Sequence, residues 1–188
     1  SILELAEPEW AGRIGWAPTN ASLQDFVTAL RSIAGEDVAR DWLEGIVANA
    51  TPYEGNTAIL EAVAAGEVEV GLANHYYLYR SLAADPAFPV ANHFFDGSDP
   101  GSLVNIAGAG VLSTTDEPDA AKALIEFLLS AEAQTYFAEQ TYEIPVTPGI
   151  DTAADLPTID SLSLPDFDLN RLSDLQGTID LLTEVGAL

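Results

Sequence analysis

Short apolar runs alternate with segments of helical periodicity along this chain, and that alternation confines it to an α/β architecture with largely parallel strands. "RIGWAP", residues 13–18, reads as a short strand ended by Pro18. From Ser22 the residues Leu23, Phe26, Val27, Leu30 and Ile33 recur at helical spacing as far as Gly35. Ser22 is suited to cap this helix, and Asp25 in its first turn complements the helix dipole. A second helix carries Val38, Trp42, Leu43 and Ile46 on one side. Asn56 is placed to cap a third, whose Ile59, Leu60 and Val63 face inward before Gly66 ends it.

"VEVGLAN", residues 68–74, alternates and then turns apolar, as a strand entering a sheet interior does. After it a helix bearing the tyrosines runs as far as Ala84, where "DPAFP" breaks it. "HFFDGSDPG" reads as a short strand and a turn. "SLVNIAGAGVLST", residues 102–114, reads as a strand whose small residues permit close backbone approach. A helix is predicted over 118–129 with Ala121, Leu124, Ile125 and Leu128 on one face, and another around "AEAQTYFAEQ". Residues 143–167, rich in Pro, Asp and Thr, read as loop, and a last amphipathic helix carries Leu169, Leu172, Ile179 and Leu182.

Composition narrows the partners. With 48% hydrophobic and 19% charged residues the chain can bury a core. Six basic residues against thirty acidic ones, a net charge of −24, leave too few cations to neutralise phosphates, which argues against nucleic acid and an anionic membrane face. A single lysine, Lys122, fits a heavily solvated acidic surface of the kind that high salt favours. The absence of cysteine excludes disulfides and thiolate-ligated metals. With no methionine and an opening in mid-pattern, the chain is expected to be a processed product or a piece of a longer protein.

Three polar clusters fall where a predicted strand gives way to a helix or where a helix begins. These are "PTNAS" at 18–22, Asn56, and "NHYY" at 74–77. In open α/β sheets such turns lie along one edge, where ligands bind. Helix N-termini there favour an anion, and Asn20, Ser22, Asn56 and Asn74 can add neutral donors. Each residue also has an ordinary reading: Ser22 and Asn56 as caps, Asn74 as a turn residue, Tyr76 and Tyr79 as packing three apart on a helix. Against that, the adjacent phenols of Tyr76 and Tyr77 are hard oxygen donors suited to a small, highly charged cation. They can reach one ion only if the strand has ended, because neighbours on a strand point to opposite faces.

The stretches "EWAGRIGWAPTNAS", "YEGNTAILEAVAAGEVEVGLANHYYLYR", "DPGSLVNIAGAGVL" and "AAKALIEFLLSAEAQTYFAEQTYEIPV" resemble the bacterial periplasmic ferric-ion-binding proteins, the solute receptors of iron-uptake ABC transporters. The resemblance implies a type II periplasmic-binding-protein fold, with a mixed, mostly parallel sheet flanked by helices. It implies Tyr76 and Tyr77 as ferric ligands, and a synergistic anion, phosphate or carbonate, held by Asn20, Ala21, Ser22, Asn56 and Asn74. His75 is expected to point away from the metal. It further implies that residues 10–103 form the second of two lobes, and that 104–188 supply a return strand and helices for a first lobe largely absent from this chain. The implied setting is extracytoplasmic, the implied partner is an ABC permease, and self-association through the uncovered apolar surface is expected. A receptor of the same fold for a polyamine or another anion is the alternative. An enzyme using His75 has only two histidines to draw on and no recognisable partner spacing.

Overall fold

The computed structural model of the chain describes residues 1–95, 99–152, 156–158, 161–162, 168 and 172–188. They fall into two units, Ser1–Asn105 with Ser163–Leu188, and Ile106–Leu162.

In the first unit β1 (Ile14–Trp16) runs between β2 (Ala50–Pro52) and β3 (Val70–Gly71), parallel to both, with Ile14 opposite Ala50 and Val70. Helices α1 (Ala21–Ala34) and α2 (Glu36–Asn49) lead from β1 to β2, α3 (Asn56–Ala65) leads from β2 to β3, and α4 (Tyr76–Ala84) follows β3. Side chains on a strand alternate between faces. Ile14 and Trp16 therefore enter one core, shared with Val27 and Leu30 of α1 and with Trp42, Leu43 and Ile46 of α2. Leu181 and Leu182 of a helix at Leu175–Glu184 close that core from the C-terminal end of the chain.

Gly15 and Gly71 face the opposite side, where α3 lies against the sheet. A Cβ on Gly15 would sit 3.1 Å from the Tyr53 ring, and one on Gly71 would collide with the Ile59 Cγ2 methyl. The absence of side chains at these two positions is what lets α3 approach closely. The C-terminal helix is fastened to α1 by polar contacts. The Thr28 and Thr178 hydroxyls lie 2.7 Å apart in the interior, and Arg31 donates to Thr178 Oγ1 at 3.0 Å and to Asp174 Oδ2 at 3.0 Å.

In the second unit α5 (Pro118–Leu128) is followed by α6 (Ala131–Tyr136), which widens into a π turn at Phe137–Thr141. Buried Gln134 ties these together: its amide donates to the Leu128 carbonyl at 2.8 Å and its oxygen accepts from the Val146 N–H at 2.9 Å. α5 buries none of its residues, and Leu124 and Phe127 are at least half exposed.

Several expectations are corrected. Asn20, not Ser22, caps α1, because its oxygen accepts from the Ser22 and Leu23 N–H groups. Asn56 is the first residue of α3 and not its cap; Gly55 takes that place. Val38 is exposed, and the inward side of α2 begins at Ala39. Residues 102–114 form no strand: Pro100–Ser102 make a short 3-10 turn and residues 105–114 are largely exposed. Residues 93–95 are not a strand either, and the rest of that predicted turn, at 96–98, lies outside the described residues. The last helix starts only after Asp174, whose carboxylate caps it at the Gly177 N–H; Leu172 precedes it and Leu169 lies outside the described residues. β2 is absent from the sequence reading because it is three residues long and ends in Pro52, which an edge strand tolerates.

Candidate metal and anion site

Parallel strands deliver their carboxyl ends to one edge, so the helices that follow β1, β2 and β3 all begin there. Asn20, Ala21 and Ser22 stand at the start of α1, Asn56 at the start of α3, and Tyr76 and Tyr77 at the start of α4. β3 ends at Gly71, and the tyrosines therefore sit on a helix and are freed from the opposed directions of a strand.

Asn74 is the junction of these elements. Its main-chain N–H donates to Asn56 Oδ1 at 3.2 Å. Its side-chain amide donates to Ser22 Oγ at 3.2 Å and to the Tyr76 hydroxyl at 3.1 Å. Tyr77 stacks on Tyr76 with ring centroids 4.8 Å apart and planes inclined by 28°. The structure thus brings Ser22, Asn56, Asn74, Tyr76 and Tyr77 together through direct contacts. Asn20 spends its oxygen on the backbone of α1, and exposed Ala21 can offer only its main chain. His75 meets the Tyr76 ring edge-on at 5.5 Å, and its carbonyl accepts from the Asn92 amide at 3.1 Å.

Two features give the cluster its chemistry. Asn56 is buried, its oxygen is held by the Asn74 N–H, and its Nδ2 has no hydrogen-bond partner among the described residues. A buried donor left unpaired costs roughly 1–3 kcal/mol, so this one is poised for an acceptor. The Tyr76 phenol is the second feature. Burial pushes its pKa above the ordinary value, the Asn74 amide pulls it back, Tyr77 adds to the rise, and Arg80 opposes it. The net direction is upward, so Tyr76 is a neutral phenol at physiological pH until a cation displaces its proton.

Arg80 escaped the sequence reading. Its guanidinium lies 5.0 Å from the Tyr76 ring centre and 5.3 Å from that of Tyr77, a cation–π contact spanning both rings. The signal was present: position 80 lies four and three residues beyond the two tyrosines, on the same helical face. Among the described residues no group of three or more His, Asp or Glu could hold a metal.

Residues 3–169 match the family model of the bacterial extracellular solute-binding proteins. The chain belongs to that family. At the level of the family, that makes it a binding protein and not an enzyme. Among bacterial extracellular solute-binding proteins it is similar to the Fe(3+)-binding periplasmic protein of Serratia marcescens, 32% identical over 191 residues that take in 100% of this chain and 56% of the relative. Iron uptake protein A2 of a Synechocystis strain is 38% identical over 194 residues, covering 97% of this chain and 56% of that protein. The crystal structure of iron-bound HitA from Pseudomonas aeruginosa superposes with a TM-score of 0.93 at 32% identity, over 99% of this chain and 61% of that one. The α/β fold expected from the sequence is therefore that of the family, and the chain spans a little over half the length of the curated relatives it matches.

Proposed function

We propose that this chain carries the ferric-ion-holding half of an extracytoplasmic solute receptor serving an iron(III) ABC transporter. Tyr76 and Tyr77 bind the ion as phenolates, and a synergistic anion, phosphate or carbonate, rests against Asn20, Ala21, Ser22, Asn56 and Asn74. The single observation that carries this reading is the contact chain from Asn56 through Asn74 to Ser22 and Tyr76, with Tyr77 stacked alongside. It sets donors for an anion, including the unpaired Asn56 Nδ2, next to paired oxygen donors for a cation. Hard trivalent ions prefer such oxygen ligands, and an anion beside them offsets the excess positive charge. The names of the Serratia and Synechocystis relatives and the iron-bound HitA structure support ferric ion as the cargo.

In this reading residues 10–103 are the second lobe of a two-lobe receptor, and 104–188 return to a first lobe that supplies further ligands. One observation favours it: α5 leaves Leu124 and Phe127 uncovered. Closure of the lobes around the ion would follow binding, and a membrane permease would receive the closed form. The test is optical. Ferric citrate added with phosphate is expected to give a visible phenolate-to-iron charge-transfer band that Tyr76→Phe and Tyr77→Phe each remove. A band unchanged in both variants eliminates the assignment.

A further inference from the structure

We propose that Arg80 is a specificity-determining residue: its guanidinium is a built-in cation in the place beside the Tyr76 and Tyr77 rings where an organic cation would otherwise lodge. The inference rests on the ferric reading above, in which the same two side chains use their oxygens. The guanidinium carbon and the two ring centres form a nearly equilateral triangle with sides of 4.8, 5.0 and 5.3 Å. The cation is therefore seated against both rings at once, and not over the outer face of one alone. Arg80 reaches this place from one helical turn away, three and four residues beyond the tyrosines on α4.

A pair of aromatic rings without such an occupant is a receptor for ammonium groups, because ring faces attract cations. The net charge of −24 would draw organic cations toward it. Basic residues are scarce in this chain, and Arg13, Arg31 and Arg40 are each paired with a carboxylate. Among the described residues Arg80 forms no ion pair, and the two rings are its partners. A guanidinium keeps its charge at every physiological pH, so protonation changes never vacate the place. A metal ion bonds to the phenol oxygens and not to the ring faces, and it can bind with Arg80 seated. An amine such as spermidine needs the rings themselves and finds them taken. Arg80 thus selects the class of cation, a hard metal ion over an organic ammonium.

The experiment measures the binding of spermidine and of tetramethylammonium by calorimetry, in high salt that screens the acidic surface. Arg80→Ala is expected to bind both cations roughly tenfold more tightly than the wild-type chain, the worth of a cation set against two rings. Arg80→Lys keeps a cation at the same position and shows no such gain. Adding Tyr77→Leu to Arg80→Ala removes one ring and takes the gain away. Arg80→Gln, which keeps part of the stem, behaves as Arg80→Ala does and replaces it if thermal unfolding shows that alanine disturbs the fold. Organic cations bound no more tightly by Arg80→Ala and Arg80→Gln than by the wild type overturn the inference. A gain that survives Tyr77→Leu, or that is equally large in Arg80→Lys, also overturns it. A wild-type chain with no ferric band overturns the ferric reading and the inference together, whereas a wild-type band without the gain in Arg80→Ala overturns the inference alone.

Discussion

Replacing Gly71 by alanine tests whether the close approach of α3 to the sheet is what positions the site. The added Cβ would run into the Ile59 Cγ2 methyl and lie 3.3 Å from Val63 Cγ2, so the helix or its side chains must move. Overpacking of this kind costs about 1–3 kcal/mol. Alanine recovers about 0.4–1 kcal/mol by restricting the unfolded chain, because Gly71 does not have a positive φ. The net loss is about 1–2 kcal/mol, or about 2–8 °C in Tm for a chain of this size. Ile59→Leu removes the offending methyl at constant volume and should cost less than about 1.5 kcal/mol by itself. The double variant is then expected to be more stable than the sum of the singles by about 1 kcal/mol, since the two positions touch. Because α3 begins with Asn56, the single variant should also lengthen the 3.2 Å bond from the Asn74 N–H. Urea unfolding of the four proteins decides the matter. Gly71→Ala as stable as wild type, with strictly additive effects, refutes the packing argument.

Two further predictions concern linkage and the core. Burial holds the Tyr76 pKa above its ordinary value, so the metal-free phenol is neutral and ferric binding must release its proton. Ferric affinity should therefore fall by about tenfold for each pH unit of acidification on account of this group, read from the visible band between pH 8 and 5; a pH-independent affinity contradicts it. Thr178→Val keeps the shape but removes the hydroxyl that meets Thr28 and accepts from Arg31, and should cost about 1–2 kcal/mol in urea unfolding. A change below about 0.5 kcal/mol would show that this buried pair does not hold the C-terminal helix.

The parts of the fold legible in the sequence are those governed by local periodicity. Leu23 to Ile33 define α1, Ile59 and Leu60 give the inward face of α3, and Gly66, with its left-handed backbone, marks the end of α3. What sequence could not supply was anything that depends on a partner distant in the chain. β2 is a strand only because β1 pairs with it, and 102–114 has the apolar composition of a strand without forming one. The cap of α1 went to Asn20 over Ser22 by a two-residue choice that spacing does not resolve. The site was legible as residue types at one sheet edge, from the rule that parallel strands end together. Its wiring was not: that Asn56 turns its oxygen to Asn74, and that Arg80 lies across both phenols, follows from contacts over 18 residues and over one helical turn.

The most direct test of the ferric assignment is anomalous diffraction at the iron absorption edge from crystals grown with ferric ion and phosphate. The account predicts one strong peak within bonding distance of both the Tyr76 and Tyr77 oxygens. An iron peak elsewhere on the chain, with the Tyr76 hydroxyl still bonded to the Asn74 amide, would contradict it.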